Sequence, residues 1–533
     1  MRLDSAERGV SPLRLVLAIV GLVLVGGGWW LLTAGDRAFD VRTDRLGPLP
    51  VTYFVHPDAA NAWAGDDAAE APASGNGVPG VLVAHGFGSS RRIMLGYAER
   101  FAAAGYAVAL FDFSGHGANA SPLDDSRDAL AADVSLAADW LAAQPEVDAG
   151  RLAILGHSMG SGAAMRAGIG SPDAFRAVVA VSPTDADVTP SLPRNLLLQA
   201  GTWEQRFLDN ARRLLDSGGG VATEAQAFAA GAARDLTVVP AAEHITILFR
   251  RESQLAALRW LDRTFARPGA QPAPAGLLTA PSPLSFQARR LLGYLVQLAG
   301  WLVVAFALRP LVRRAVPEAA GRGRGGLPAM RARWWWIGMI AGPFVATGAI
   351  AGLSTVADTR ALGGMLVAGA LAIWFAVYGT ARVAVGVRPA APRGRSLLVG
   401  AGLFAVLSVA VGLPLGRVAI EWLLVPARLA RWPAAAIAAV PWFLASGYAY
   451  HRAAPGLRIG VYAAETVTIV GALLLAGATV PGLFIVVLLV PALPLAFAGM
   501  AVFGAVPDDP WAYAVGNAMF FGWMLVAVFP LAG

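Results

Sequence analysis

The sequence contains no cysteine and no lysine, and only 14% of its 533 residues are charged. Without cysteine the chain cannot be a disulfide-stapled scaffold. Soluble proteins carry about 25% charged residues, so this chain is too apolar to be soluble throughout. Its 56% hydrophobic content instead indicates a membrane protein, and it excludes a disordered or collagen-like chain.

Acidic residues are scarce in the second half of the chain. Residues 1–283 hold 29 acidic residues and 23 arginines, whereas residues 284–533 hold 6 acidic residues and 19 arginines. The basic residues of the second half stand between long apolar runs, where they mark membrane topology. The pI of 10.2 is therefore not a nucleic-acid signature, and we expect no nucleic-acid partner.

A run of 19 uncharged, mostly apolar residues, Leu15–Thr33, follows an arginine-bearing N-terminal segment. As a helix it would be about 28 Å long, which is enough to cross the core of a bilayer. It is either an uncleaved anchor over residues 1–35 or a cleaved signal peptide with a weak site at Leu32–Ala34. The length of the run and the interfacial pair Trp29 and Trp30 favour the anchor. In both cases the following segment is exported.

Residues 36–267 alternate short apolar runs with amphipathic stretches, which is the βαβ pattern of a mostly parallel sheet. The predicted strands are Val51–Val55, Val81–Ala84, Ala107–Phe111, Leu152–Leu155, Ala177–Val181, Leu196–Gln199 and Leu236–Val239. Between the strands lie amphipathic stretches that predict helices, such as Asp128–Ala143, Ala163–Gly168, Gln205–Asp216 and Ser253–Phe265. Residues 57–78 are expected to form a surface loop, and residues 268–285 a Pro-rich linker.

Residues 286–533 are almost continuously apolar and predict a multi-pass, all-α membrane domain of about eight helices. The predicted spans are 288–308, 334–356, 361–386, 396–416, 432–450, 459–479, 482–505 and 511–531, which makes nine with the anchor. Residues 418–430 include Glu421 and are too charged to span, so we interpret them as interfacial or re-entrant. Glu465 and Asn517 lie mid-span, where each either forms a polar site or makes a helix contact.

Arginine placement predicts the orientation of the chain. The loop after the span 288–308 carries seven arginines and one acidic residue, which marks it as cytoplasmic. The N-terminal arginines also indicate the cytoplasmic side. Residues 36–267 are therefore expected outside the cell membrane.

The strongest motif is Gly156-His157-Ser158-Met159-Gly160, which follows a predicted strand and precedes a small-residue helix. G-x-S-x-G in this setting is a nucleophile elbow, in which a tight turn holds the serine hydroxyl clear of the backbone. The motif alone is weak, but its strand–turn–helix setting favours Ser158 as a nucleophile.

A second segment, His85-Gly86-Phe87-Gly88, follows an earlier strand. With both motifs the chain resembles the α/β-hydrolase superfamily in a compact, largely uncapped form. The resemblance covers about 230 residues and implies a mostly parallel, doubly wound sheet. It also implies an oxyanion hole formed by the backbone N–H groups of Phe87 and Met159. His85 is expected to be structural, and Asp112–Gly117, similar to the family's D-x-x-G-x-G turn, to shape a loop.

The family's Ser…acid…His order places the base and the acid. His244 is the one histidine of the exported domain that lies beyond the elbow and beyond a later strand, so we assign it as the base. For the acid, Glu204 follows the strand that ends near Gln199 and resembles the family's G-x-x-D, with glutamate in place of aspartate. The alternatives left open are Asp185, Asp187, Asp209 and Asp235.

These residues predict a membrane-bound serine hydrolase that uses a Ser-His-Glu triad and needs no metal or cofactor. The expected partners are a small-molecule or lipid acyl substrate and membrane lipids, and a carboxylic ester is favoured over a peptide. Residues 182–194 leave no room for an extensive cap, so the site is either open or covered by the membrane domain. The alternative function is a polytopic transport or lipid-handling protein with an accessory hydrolase domain; an inactive scaffold is disfavoured.

Overall fold

The computed structural model describes residues 11–63, 77–124, 127–265, 285–315, 329–387, 389–480 and 493–533, together with Leu483, Ile485 and Val486. These residues form two compact units. The sheet unit comprises Leu32–Leu291, Gly416–Val425 and Pro530–Gly533. The helical unit comprises Met1–Leu31, Leu292–Leu415 and Pro426–Phe529.

The sheet unit is built on one eight-stranded sheet. Its strands are β1 (Asp40–Leu46), β2 (Leu49–Val55), β3 (Val78–Ala84), β4 (Ala107–Phe111), β5 (Val147–His157), β6 (Ala177–Val181), β7 (Leu196–Gly201) and β8 (Arg234–Val239). Their spatial order is β1-β2-β4-β3-β5-β6-β7-β8. The first two pairings in that order, β1 with β2 and β2 with β4, are antiparallel, whereas β4 with β3 and all later neighbours are parallel.

Helices cover both faces of this sheet. The helices of the unit are α2 (Ala59–Trp63), α3 (Leu95–Ala103), α4 (Arg127–Ala142), α5 (Met159–Gly170), α6 (Gln205–Ser217), α7 (Ala225–Ala230) and α8 (Arg251–Phe265). The helix that precedes them along the chain, α1 (Pro12–Thr33), belongs mainly to the helical unit. Leu152 and Ile154 of β5 contribute to one buried cluster, and the alternate residues Ala153 and Leu155 to another. This alternation supplies two cores, and the predicted fold class is confirmed.

The seven predicted strands all form, and one further strand, β1, was missed. Its sequence is D-V-R-T-D-R-L, and every residue before Leu46 is exposed. An edge strand with no buried face has no apolar alternation to reveal it. Residues 64–76 of the predicted loop 57–78 lie outside the described residues, and so do residues 268–284 of the predicted linker.

The helical unit contains α9 (Phe286–Ala315), α10 (Ala329–Leu353), α11 (Ala368–Gly386), α12 (Gly394–Leu407), α13 (Leu413–Leu415), α14 (Pro426–Leu429), α15 (Trp432–Arg452), α16 (Arg458–Thr479), α17 (Leu493–Gly504) and α18 (Pro510–Val528), where α9 begins in the sheet unit. Among the described residues, seven helices are long and apolar enough to cross a membrane. They are Pro12–Ala38, Phe286–Ala315, Arg333–Leu353, Ala368–Gly386, Gly394–Leu415, Arg458–Thr479 and Pro510–Val528. These helices indicate a membrane protein.

Two predicted spans are not among those seven. Residues 432–450 do form a long helix, α15, but it is less apolar than the seven. The span 482–505 lies partly outside the described residues, and its described end is the short helix α17.

Candidate active site

Ser158 stands on a sharp turn between β5 and α5. Its backbone has φ 52° and ψ −120°, a left-handed conformation that costs non-glycine residues about 1–3 kcal/mol. The turn can close only because its neighbours are small: a Cβ on Gly156 would lie 2.0 Å from the carbonyl oxygen of Gly160. The strain therefore presents the Ser158 side chain at the carboxyl edge of the sheet.

The imidazole of His244 lies between Ser158 and Glu204. Its Nε2 is 3.0 Å from Ser158 Oγ, and its Nδ1 is 2.9 Å from Glu204 Oε2. Ser158 follows β5, Glu204 follows β7 and His244 follows β8. Parallel strands bring their carboxyl ends to one edge, which is why residues 86 positions apart in sequence meet. The three residues selected from the sequence are thus brought together.

The remaining oxygen of Glu204 is held by two donors. Oε1 accepts a hydrogen bond from the Gly201 N–H at 2.6 Å and one from the Ser182 hydroxyl at 2.9 Å. Ser182 follows β6 and has a positive φ of 48°. Both donors leave Oε2 directed at the imidazole. Sequence reasoning missed Ser182, which belongs to no recognisable motif.

Two aromatic rings fix the orientation of His244. His157 donates from Nε2 to the His244 carbonyl oxygen at 2.9 Å, and Phe207 stacks on the imidazole at 4.1 Å between ring centroids. Burial lowers the pKa of His157 to about 3, so its ring is neutral. Neither residue was predicted from the sequence, because their roles depend on where β5 and α6 place them.

Burial shifts the pKa of both partners in the His244–Glu204 pair. It lowers the pKa of His244 to about 4, against the attraction of the Glu243 carboxylate. It raises the pKa of Glu204 to about 7, while the hydrogen bonds from Gly201 and Ser182 favour the carboxylate. At neutral pH His244 is therefore uncharged and able to accept a proton from Ser158.

The loop that contains Phe87 lies against the elbow. A Cβ on Gly86 would be 3.1 Å from Ser158 Cβ, and one on Gly160 would be 2.5 Å from the His85 carbonyl oxygen. Met159 is the first residue of α5, where backbone N–H groups are unpaired within the helix. The placement of both segments suits the oxyanion role expected for Phe87 and Met159.

His85 and Asp112 organise the neighbouring loop. His85 is fully buried, and its Nε2 accepts a hydrogen bond from the Phe113 N–H at 3.1 Å. Asp112 accepts hydrogen bonds from the backbone N–H groups of Arg91 and Ala118 at 2.7 and 2.8 Å. Both side chains hold backbone, as expected for loop-shaping residues.

None of the alternative acids bonds to His244 among the described contacts. Asp185, Asp187 and Asp209 are exposed, and Asp235 bonds to the N–H of Leu236. Asp185 instead pairs with Arg213 at 2.5 Å.

An open cavity of about 330 Å³ adjoins the β6–β7 loop. Its lining consists of Arg166, Asp185, Ala186, Asp187 and Arg213.

Within the described part of the chain, no group of three or more His, Cys, Asp or Glu side chains could hold a metal ion.

In the helical unit, Glu465 pairs with Arg382. Both side chains are buried, and Arg382 also donates to the Ser446 hydroxyl at 3.0 Å. Asn517 is fully buried with no hydrogen-bond partner among the described residues. The sequence analysis missed Arg382, although an arginine inside the predicted span 361–386 is a signal of a buried polar contact.

Residues 79–243 match a protein family described as serine aminopeptidase, S33. The chain is also 37% identical over 101 residues to two uncharacterized Mycobacterium tuberculosis proteins, Rv2307c and MT2364. That match covers 19% of this chain and 35% of each relative, so the chain spans about a third of the relatives' length.

Solved structures similar to the chain include several hydrolases. A predicted CIB-like hydrolase from Thermoplasma acidophilum is 16% identical, with a TM-score of 0.30 over 42% of this chain and 96% of that one. A dienelactone hydrolase from Anabaena variabilis is 22% identical, with a TM-score of 0.29 over 42% and 94%. An esterase from Pyrobaculum calidifontis is 16% identical, with a TM-score of 0.31 over 49% and 92%.

Proposed function

We propose that this chain is a membrane-bound serine hydrolase of the α/β-hydrolase superfamily, and that it cleaves a carboxylic ester, thioester or amide. One observation supports this most directly: His244 lies within hydrogen-bond distance of both Ser158 Oγ and the Glu204 carboxylate, at 3.0 and 2.9 Å. A neutral imidazole between a strained serine and a buried carboxylate is the arrangement that activates a hydroxyl nucleophile.

In the first half of the proposed reaction, His244 Nε2 accepts the Ser158 proton while Oγ bonds to the acyl carbon. The carbonyl oxygen becomes an oxyanion, to which the N–H groups of Phe87 and Met159 donate. The tetrahedral intermediate then expels the leaving group, and the imidazolium returns the proton to it. An acyl-enzyme on Ser158 remains.

In the second half, His244 takes a proton from water, and the resulting hydroxide attacks the acyl carbon. The ester bond to Ser158 Oγ breaks, the serine regains its proton and the carboxylic acid leaves. Glu204 holds the productive tautomer of His244 and stabilises the imidazolium in both halves.

An acyl ester, small or lipidic, is the substrate class we favour over a peptide. The loop between β6 and β7 is short, so a long cap does not restrict substrate shape. Trp203, next to Glu204, is 70% exposed, and an exposed indole suits the polar interface of a bilayer.

We further propose that the domain faces the outside of the cell membrane, as the arginine distribution predicts.

The test of the reaction uses the full chain in detergent with a short-chain p-nitrophenyl ester. Ser158→Ala should lower turnover at least about 10³-fold, because the nucleophile is lost. Ser171→Ala, at an exposed position on the end of α5, is the matched control and should retain activity. Ester hydrolysis that survives Ser158→Ala would contradict the proposal.

The test of orientation uses a membrane-impermeant fluorophosphonate. Labelling of Ser158 on intact cells is expected, with the same intensity after lysis. Labelling that appears only after lysis would place the domain inside the cell and leave the catalytic proposal standing.

A further inference from the structure

Two short segments from the second half of the sequence belong to the sheet unit. Gly416–Val425 follows the apolar helical segment Gly394–Leu415, and Pro530–Gly533 follows Pro510–Val528. Both segments contact the loops next to the candidate oxyanion hole, so they are candidates for a role in the reaction.

The first segment contributes a buried carboxylate. Glu421 is 8% exposed, and its Oε2 lies 3.3 Å from Arg91 Nη2 and 3.2 Å from Arg92 Nε. These arginines begin a 3₁₀ turn, Arg91–Met94, four residues after Phe87. Glu421 therefore holds the turn that continues directly from the Phe87 loop.

Arg91 connects Glu421 to a second loop. It is 5% exposed; its guanidinium pairs with Asp112, and its Nε donates to Thr52 Oγ1 at 2.9 Å. Two arginines thus face two buried carboxylates, which balances the charges. Removing Glu421 would leave Arg91 and Arg92 with Asp112 as their remaining acidic partner among these four, and an unbalanced buried charge is costly.

The loop that starts at Asp112 packs on the Phe87 loop. The ring of His116 lies 5.6 Å from the ring of Phe87 and 5.1 Å from that of His85, both edge-on. Movement of Asp112 would shift His116, and with it Phe87.

The second segment holds the same loop from another position. Leu531 donates its N–H to the Gly115 carbonyl at 2.9 Å and accepts from the Leu123 N–H at 2.9 Å. Gly115 has φ 76°, and a Cβ there would lie 2.8 Å from the Leu531 carbonyl oxygen. The loop is fitted closely to this segment.

We propose that Glu421 is a positioning residue for hydrolysis. Through Arg91, Arg92 and Asp112 it fixes the position of the Phe87 N–H, which donates a hydrogen bond to the oxyanion. This inference rests on the proposed function. Glu421 touches no reacting atom, and its effect is on the transition state. Its loss therefore lowers kcat and leaves KM nearly unchanged, because the oxyanion forms only after substrate binds.

The experiment compares full-length Glu421→Gln and Glu421→Asp with the parent protein on a p-nitrophenyl ester. Active sites are counted by fluorophosphonate titration, so that misfolded protein does not enter kcat. We expect kcat to fall about 10- to 100-fold in Glu421→Gln, the range for a misplaced catalytic group. KM should change less than about twofold, and Glu421→Asp should recover part of kcat because it keeps the charge.

Two further variants keep the proposal falsifiable. Glu252→Gln removes an exposed glutamate that pairs with Arg250 at 3.3 Å, and it should leave kcat unchanged. Arg92→Gln removes one partner of Glu421 and should lower kcat in the same way. The Arg92 side chain is 25% exposed, so its replacement disturbs folding less than that of the buried Glu421. A kcat equal to the parent's in folded Glu421→Gln or Arg92→Gln, or an equal loss in Glu252→Gln, overturns the inference. An inactive parent protein would instead overturn the proposed function.

Discussion

The imidazole of His244 contacts the side chains of Ser158, Glu204, His157 and Phe207, and the first two of these could be predicted from the sequence. Motif order along the chain selected Ser158 and Glu204. The other two, His157 and Phe207, contact His244 because β5 and α6 bring them there. A motif shows which residue types carry the chemistry, whereas the residues that orient them depend on tertiary packing.

The pH dependence expected for the proposed reaction follows from the two shifted pKa values, those of His244 and Glu204. His244 must be neutral to accept a proton, and its pKa is lowered to about 4. Glu204 must be ionised to stabilise the imidazolium, and its pKa is raised to about 7. We expect kcat/KM to rise with pH between about 4 and about 7 and then level off, measured at constant ionic strength.

Glu204→Gln tests which group forms the acidic limb. It removes the carboxyl group with the higher pKa, so the limb should move to lower pH while the rate falls markedly. In the parent protein, a profile that is flat down to pH 4, or that peaks in acid, would refute both assignments.

Ser182 should affect the rate through Glu204. Ser182→Ala removes one of the two donors to Oε1 and so favours the protonated acid. A hydrogen bond to a charged group contributes about 1.5–3 kcal/mol, so kcat/KM should fall at least about 10-fold at pH 7. The acidic limb should also move to higher pH. An unchanged limb with a reduced rate would show that Ser182 acts elsewhere.

At the scale of elements, the elbow between β5 and α5 depends on the absence of a side chain at position 156. A methyl group there would lie 2.0 Å from the Gly160 carbonyl oxygen, so the turn would have to open. We expect Gly156→Ala to destabilise the protein by at least about 3 kcal/mol, at the upper end for overpacking. Thermal unfolding of the purified chain measures this.

Gly150 provides a matched control in the same strand. A Cβ there would meet its nearest neighbour, Asp148 Oδ1, at 3.3 Å, so that only a small adjustment is required. Gly150→Ala should change stability by less than about 1 kcal/mol. Equal destabilisation by both substitutions would mean that the elbow is not specially constrained.

The sequence predicted the elements whose burial leaves a pattern. Central strands such as β6 appear as continuous apolar runs because both of their faces are covered. The edge strand β1 is polar and exposed, and it was missed. The helix α3 was also missed: it follows the Arg91–Met94 turn without a gap, and no motif marks where it begins.

For the molecule as a whole, the helical unit contains a buried ion pair whose removal should be costly. Arg382→Met would leave the Glu465 carboxylate without its arginine, a change that costs about 3–5 kcal/mol for buried pairs. Replacing both residues, as Arg382→Met with Glu465→Leu, should restore most of that stability, because no unpaired charge remains. Unfolding in detergent, followed by tryptophan fluorescence, measures the difference.

Arg360→Gln serves as the control, since the pair of Arg360 with Asp358 is exposed. It should have little effect on unfolding. Equal stability losses in the single and double variants at positions 382 and 465 would argue that the cost is lost packing and not an unpaired charge.

The composition predicted a membrane protein but not the partners of its buried charges. Composition over hundreds of residues reflects the solvent around a domain, whether water or lipid. It does not show that Glu465 would meet Arg382, or that Glu421 would meet Arg91, because each pair joins positions far apart in the sequence. Such pairs depend on the three-dimensional path of the chain.

The discontinuity of the sheet unit also sets an order of assembly during synthesis. The strands and the three proposed catalytic residues are complete by residue 244, but Gly416–Val425 comes after five of the seven described apolar helices. Pro530–Gly533 comes after all seven. Chains grow from the N-terminus, so the Phe87 loop and the loop that starts at Asp112 can gain their last contacts only after those helices have been made. Maturation of the candidate active site would thus be tied in time to the synthesis of these apolar helices.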